Sequence, residues 1–581
     1  MTDVSRRTAL SRRRFLTSTA TAVVTGALVS ACDGGSTKAV VPKGVEGVPK
    51  ATPDALVPGV QYKTGYVGPR ARVKKPFGDP GTTFRIVVPQ DTQTTGDWNK
   101  NSFSQWLEAR TGVKVRYDTV VVADGDMTKV NAMIAAGDLP DAFLGIPFTP
   151  DQISLYGGQG IFVAQDDYID TYAVEIKEAI AKFPELRRLG LASDGKTYAF
   201  PRMSDCYHCR IGAGRTYVSQ SLVKAVGAEL PRTTDEFRAL LKAFKDQDAN
   251  GHGNVVPLLA GVDSPLDVYF MNSFLYNPGE PWLRLDQGKV DFVAGKDEWR
   301  EGLRFLRSLF DDGTLTSEVF SMTNETRLRL GNNPGYQRVG VARAFHWGVF
   351  LDIAQERWRD YVALPPLKGP NGVGYAAWDY YQFYQPGLII TDQCADPGAL
   401  VRWADHQVEL ETWMNGYAGP RGKTWDFAKP GAKGLLGQQA TYKITKAPPP
   451  VGLAWGTSWG APNMKYATDD WRMAEESNPA TTNYEAALYQ VTKQAYEPSR
   501  QPMDQQLPPL VFAESDAATN ANTKTTIVQH VKSALADFTV GKLDVDDDRT
   551  WDKYVEALDK MGLPGYLESH QRAYDKYRTN G

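Results

Sequence analysis

Three things are missing from this chain of 581 residues, and each absence closes off a class of function. Neither sign of charge dominates: 65 Lys and Arg stand against 68 Asp and Glu, a formal net charge of −3. That leaves no electrostatic footprint for nucleic acid. Past the N-terminal leader no run is apolar enough to span a bilayer, which takes roughly 18 or more residues. Cysteine is scarce, 4 in all, and its single C-x-x-C has no second pair and no paired histidines beside it. A zinc site needs about four ligands, so these do not complete one. No internal repeat is present.

Aromatic residues, by contrast, are plentiful, with 14 Trp and 27 Tyr. Most such rings pack in cores or at rims, and a surplus also suits flat stacking surfaces for a ligand. After the leader roughly 550 residues remain, more than one ordinary core holds, so two or more domains or lobes are expected.

The leader itself carries information. Ser11-Arg12-Arg13-Arg14-Phe15-Leu16 precedes a weakly apolar run, Ala20 to Leu28, and then Val29-Ser30-Ala31-Cys32. A charged start, a short apolar stretch and small residues before a cleavage point form a secretory signal, not a membrane span. The twin-arginine pattern resembles a Tat signal, and V-S-A-C resembles a lipoprotein cleavage site that makes Cys32 a lipidated N-terminus. The expected location is extracytoplasmic, anchored to the cell membrane by lipid on Cys32.

From Asp33 to Pro80 come seven prolines and few large apolar residues, which predicts an extended tether. Phe84 to Val88 then predicts a buried strand, Asn101 to Arg110 a helix, Val113 to Val122 a strand, Met127 to Ile134 a helix and Ala142 to Leu144 a short strand. Strands and helices in alternation imply a parallel sheet layered by helices, with ligands bound beyond the C-terminal strand ends. Gln90, Asp91 and Ile146 to Phe148 fall at such ends. Thr233 and Glu236 form a capping box before the apolar face Phe237, Leu240, Leu241 and Phe244. Trp551, Tyr554, Val555 and Leu558 give a helical C-terminal part.

Two local motifs bear on chemistry. Asp246-Gln247-Asp248-Ala249-Asn250-Gly251-His252-Gly253-Asn254 follows the pattern of a calcium loop. Side-chain oxygens of Asp246, Asp248 and Asn250, the His252 carbonyl and Asn254 would wrap a hard cation, and Gly251 permits the turn. Pro257 stands where the bidentate acid belongs; a polar turn after a helix is the alternative. Cys206-Tyr207-His208-Cys209 is expected to hold a local Cys206–Cys209 disulfide, with free thiols or a metal or redox role as the other readings.

Gly137 to Asp141, Asp194 to Pro201, Pro231 to Phe244, the Asp246 loop, Pro365 to Gly372 and Trp551 to Tyr577, in this order and spacing, resemble the extracellular solute-binding proteins, family 1, of ABC importers. The group includes oligosaccharide- and alginate-binding lipoproteins. The resemblance implies an α/β, two-lobe periplasmic-binding-protein-like (type II) fold with hinge crossings near Met203 to Cys206 and Tyr384 to Leu388. After the leader, 1–31, and the flexible tether, 32–80, it implies 81–205 and 385–450 in the N-lobe, 206–384 in the C-lobe, and 451–581 as cleft loop and helical C-terminal part. An oligosaccharide, or a peptide or other polar solute, would sit between the lobes, and ABC permease subunits would receive it from a monomer. Compared with the family's calcium loop, Asn254 and Val255 replace two acids.

A sugar offers hydroxyls around an apolar C–H face, so stacking rings with flanking polar groups are the candidates. They are Trp347, Trp378, Tyr380, Trp455 and Trp459, with Gln90, Asp91, Arg202 and Asp205 as polar partners. In relatives a Trp resembling Trp347 lines the cleft. The competing class is a hydrolase. Gly456-Thr457-Ser458-Trp459-Gly460 fits G-x-S-x-G, with His530 or His570 downstream, but prolines on both sides deny it the strand and helix of a nucleophile elbow. A glycosidase needs two acids flanking one bond, and no pair is singled out.

Overall fold

The computed structural model describes residues 44–90, 96–122, 127–211, 214–381, 384–445, 458–460, 463–478 and 483–580. The leader with Cys32 lies outside them, as do Asp91 and Trp455.

The first lobe is built on a six-stranded sheet in the order β14-β4-β11-β3-β1-β2. Its strands are β1 (Thr83–Pro89), β2 (Lys114–Val120), β3 (Ala142–Leu144), β4 (Ala199–Ser204), β11 (Tyr384–Ile390) and β14 (Tyr466–Ala467). β1 pairs in parallel with β2 and β3, and β11 runs antiparallel between β3 and β4. Both faces are covered: Ile86, Val88, Leu144 and Leu388 face one core, Val87, Phe143 and Ile389 the other. That is why β1 reads as a continuous apolar run, as expected of a sheet layered on both sides.

The second lobe holds a four-stranded sheet, β10-β5-β9-β6. It comprises β5 (Arg215–Ser219), β6 (Val256–Leu259), β9 (Val339–Ala344) and β10 (Tyr361–Leu364), with the hairpin β7 (Leu283–Asp286) and β8 (Lys289–Phe292) beside it. The expected capping box is formed: Thr233 Oγ1 accepts from the Glu236 N–H at 3.2 Å, and the Glu236 carboxylate accepts from the Thr233 N–H at 3.2 Å. Phe237, Leu240, Leu241 and Phe244 are all buried in one core with Ile527, Phe538, Trp551, Tyr554 and Leu558 of the C-terminal helices. A third small sheet pairs β12 (Trp425–Phe427) with β13 (Tyr442–Ile444).

The chain passes between the two sheets after Ser204, again before Tyr384, and a third time between Ala467 and the helix Tyr484–Val491, whose Leu488 packs with Tyr217 and Trp347 of the second lobe. Among the described residues no helix is long and apolar enough to cross a membrane.

One segment departs from expectation. Residues 44–80 were expected as tether, yet Tyr66, Ala71 and Arg72 are buried. Arg72 Nε lies 2.8 Å from Glu175, its Nη2 2.7 Å from Glu178, and its backbone N–H donates to Glu409 at 3.0 Å. Lys74 completes the group 2.9 Å from Glu175. A few buried charges thus do the anchoring that composition suggested nothing would do.

Behind this network, the Asp405 carboxylate accepts from the N–H groups of Val174, Glu175 and Ile176 at 2.8, 3.2 and 2.8 Å, capping the helix Glu175–Lys182. The next residue, His406, is buried, and burial followed by the nearby Lys74, Arg110 and Arg402 charges pushes its imidazolium pKa down to about 2. The unfolded chain binds that proton below about pH 6.5 while the folded one does not. His406 therefore contributes a loss of stability as pH falls below 6.5, at about 1.4 kcal/mol per pH unit. In urea titrations between pH 6.5 and 4.5, His406→Gln is expected to show a shallower decline than the wild type; parallel declines would refute this.

Candidate functional site at the lobe crossings

The strands that end at the crossings bring together residues far apart in sequence. β4 carries Arg202 opposite Gln385 of β11, and β14 aligns Tyr466 with Met203, so Lys465 comes beside Arg202. The Met203 N–H donates to the Lys465 carbonyl at 2.9 Å. Arg202 is buried, and burial lowers its guanidinium pKa to about 10. Gly387 makes room for it: a Cβ there would stand 2.7 Å from Arg202 Cγ and 2.6 Å from the Phe200 carbonyl. Burial, then the Arg202 and Arg472 charges, push the Lys465 ammonium pKa down to about 7.

At the first crossing the Asp205 N–H donates to the Ala467 carbonyl at 2.8 Å, and the Asp205 carboxylate pairs with Arg210 at 2.8 Å. Cys206 and Cys209 are joined by a disulfide, and Cys394 is free and buried. Between the two half-cystines His208 is buried, its Nε2 3.0 Å from Glu485 of the third crossing. Arg472 holds the same carboxylate at 3.1 Å. Burial alone would raise the Glu485 pKa, but His208 and Arg472 hold it down at about 2. This network was not legible in the sequence, because nothing local to C-Y-H-C points to Glu485.

The aromatic candidates separate into rim and core. Tyr380 is half-buried at the second crossing, its hydroxyl donating to the Gln501 carbonyl at 2.7 Å and its N–H to Gln506 Oε1 at 2.8 Å. Tyr207, not singled out by sequence, is also half-buried, with Tyr489 at 4.7 Å and Trp378 at 5.4 Å between ring centroids. Trp378 is only 3 % exposed, held by Gln501, which donates to its carbonyl at 2.6 Å. Trp347 is 2 % exposed: its Nε1 donates to the Tyr361 carbonyl at 3.0 Å, with Tyr217 and Trp358 each 4.9 Å away. Trp459 is fully buried against Trp98, Phe103 and Tyr117, its Nε1 donating to Ser104 Oγ at 2.9 Å. Instead of the exposed faces expected for stacking, Trp347 and Trp459 lie inside the lobes and Trp378 is enclosed at the crossings with Ile211, Ala376 and Tyr496, where large flat rings bury most area. Gln90 is half-buried at the end of β1, its N–H donating to the Val120 carbonyl at 2.7 Å.

A cavity of about 140 Å³ lies where Pro150, Arg188 and Leu191 of the first lobe meet Leu510, Lys576 and Tyr577 of the C-terminal part. Arg188 stacks over the Tyr577 ring at 4.5 Å, and Lys576 Nζ donates to the Ser193 carbonyl at 3.3 Å.

The Asp246 loop has the turn its glycines promised, with positive φ at Asp248 (48°), Gly251 (68°) and Gly253 (68°). Both Asp248 oxygens accept from the Gly253 N–H at 2.9 Å, and Asn250 Nδ2 donates to Asn254 Oδ1 at 2.9 Å. Asn254 in turn donates to the Tyr336 hydroxyl at 2.8 Å, and His252 stacks on Tyr336 at 3.6 Å. The donors suit a hard cation in kind, oxygen only. Two carboxylates supply the charge, and the Asn250 and Asn254 amides are already paired, which weakens such a site.

The serine reading finds no support in geometry. Ser458 is buried, while His530 Nε2 contacts the Tyr554 carbonyl and His570 Nδ1 the Tyr566 carbonyl. Among the described residues no hydrogen bond links Ser458 to either imidazole.

No protein-family model matches the chain. The fructooligosaccharide ABC transporter substrate-binding protein FusA of Streptococcus pneumoniae is 25% identical over 519 residues, 86% of this chain and 91% of that protein. FusA in complex with kestose superimposes with a TM-score of 0.71 at 23% identity, covering 86% of this chain and 100% of that one. An HMO-binding ABC-transporter-associated solute-binding protein from Bifidobacterium longum infantis gives 0.71 at 18% identity, over 87% and 99%.

From the burial of Trp347 we predict that Trp347→Ala lowers stability by roughly 3–5 kcal/mol. Chemical denaturation measures this; a loss below about 1 kcal/mol would contradict a core role. With two α/β lobes, chain crossings between them and likeness along most of its length, the chain is a relative of the solute-binding proteins of ABC transporters and shares their fold.

Proposed function

We propose that the mature protein is the extracytoplasmic solute-binding component of an ABC importer, capturing an oligosaccharide between two hinged lobes and handing it on unchanged to permease subunits. The observation that carries this reading is the pair of separate cores, one on each sheet, between which the chain crosses three times among the described residues. Such a body closes on a ligand to the extent that the ligand binds the closed form better than the open one. FusA, a relative over most of the chain, is described as binding fructooligosaccharides, which favours a glycan over a peptide. Tyr380, Tyr207 and Tyr489 are the half-exposed rings at the crossings that would stack on a sugar face, with Gln90, Arg202 and Asp205 as the polar shell. The protein acts as a monomer held to the cell membrane by lipid on Cys32, and it is a binder, not an enzyme.

Purified protein is expected to gain thermal stability from a cognate oligosaccharide by mass action, about 2.7 kcal/mol at a hundredfold excess over Kd. Tyr380→Ala is expected to lose that gain while keeping the ligand-free melting temperature within a few degrees. Stabilisation by peptides and by no glycan would overturn the oligosaccharide assignment.

Calcium is proposed as a structural clip in the Asp246 loop. FusA has also been studied as an EF-hand mutant, which places such a loop in a relative. With two carboxylates here, affinity falls in the weak, extracellular range of about 10⁻⁴–10⁻³ M. At ten times Kd, calcium is expected to add about 1.4 kcal/mol of stability, absent in Asp248→Ala. An equal calcium effect in wild type and variant would exclude this loop.

A further inference from the structure

The disulfide at the first crossing sits in surroundings that a simple cross-link does not require. One ring nitrogen of His208 and the sulfurs of Cys206 and Cys209 lie within 4.8 Å of one another. Two donors on one ion are separated by at most roughly 4.5 Å, about twice a 2.3 Å metal–sulfur bond, so the three atoms stand close to the spacing of a shared ligand sphere. Among the described residues no other group of three His, Cys, Asp or Glu side chains converges in this way.

The imidazole is prepared on both sides. Its Nε2 is held 3.0 Å from Glu485, which Arg472 fixes from the other side at 3.1 Å. A carboxylate on one ring nitrogen orients the imidazole of a metal-binding histidine and raises its basicity. The Nδ1 atom is buried with no hydrogen-bond partner, on a side chain 2 % exposed. Other buried polar atoms also lack a partner among the described residues, but this one belongs to the imidazole that stands beside two sulfurs.

We infer that Cys206, Cys209 and His208, in the dithiol form of the protein, make a three-ligand site for one thiophilic closed-shell metal ion, Cu(I) in threefold coordination or Zn(II) with water as its fourth ligand. Two thiolates and one imidazole suit soft and borderline ions and not calcium or magnesium. The disulfide and the metal are alternative occupants. Reduction by a phosphine consumes one water, yields two thiols and leaves the phosphine as its oxide. Metal binding then releases the two thiol protons and displaces water from the ion. Cys394 does not compete, because burial pushes its thiol pKa up to about 12.

The full chain, as purified or reduced with a phosphine and desalted without oxygen, is titrated with Cu(I) or Zn(II) against a coloured chelator. Reduced wild type is expected to retain one ion per chain and the oxidised protein none. His208→Ala is expected to weaken retention at least tenfold, and Cys206→Ser/Cys209→Ser to abolish it. Should the double variant fail to fold by circular dichroism, alkylating the reduced wild type with iodoacetamide provides the same readout. Retention of Cu(I) alone or Zn(II) alone identifies the ion. Equal retention by the oxidised or alkylated protein, undiminished affinity in His208→Ala, or no retention after reduction would overturn the proposal.

Discussion

Everything in the first lobe depends on β11 being inserted antiparallel between β3 and β4. Leu388, Ile389 and Ile390 pair with Leu144, Phe143 and Ala142 on one side, while Tyr384, Gln385 and Pro386 align with Met203, Arg202 and Pro201 on the other. Without that strand, β4 and β14 would lose their link to β3, β1 and β2. The chain must therefore leave the first lobe, build the second, and return before the first is complete. The connectivity leaves each lobe with its own core, and the chain crosses between them three times among the described residues, as the proposed clamp requires.

The crossings concentrate polar and charged groups. Buried Arg202 and His208 and half-buried Lys465, Glu485 and Arg472 are held there by strand register and helix ends. Buried charged groups are tolerated where hydrogen bonds and partners fix them, and they confer rigidity on the segments that carry them. In a hinged binder, rigid crossing segments confine motion to few torsions, so that the energy of ligand contacts goes into closure and not into general stiffening.

Much of the scaffold was legible in the sequence because it rests on local rules. The apolar run Ile86 to Val88, the capping box of Thr233 and Glu236, and the stripe Trp551, Tyr554 and Leu558 each predict what the structure contains. The site was less legible. A core tryptophan and a stacking tryptophan have the same local pattern, and only the partners Tyr217, Trp358 and Tyr361 reveal that Trp347 is enclosed. Likewise, residues 44–80 look like linker by composition, yet Arg72 is locked to Glu175, Glu178 and Glu409 from distant helices. Ion pairs between remote segments leave no periodic trace.

The central claim is that two lobes close on a solute. Small-angle X-ray scattering of the lipid-free protein, with and without saturating oligosaccharide, tests it most directly. A smaller radius of gyration with ligand, and a return to the larger value on its removal, is the predicted result. An unchanged scattering profile at ligand concentrations that saturate binding would contradict it.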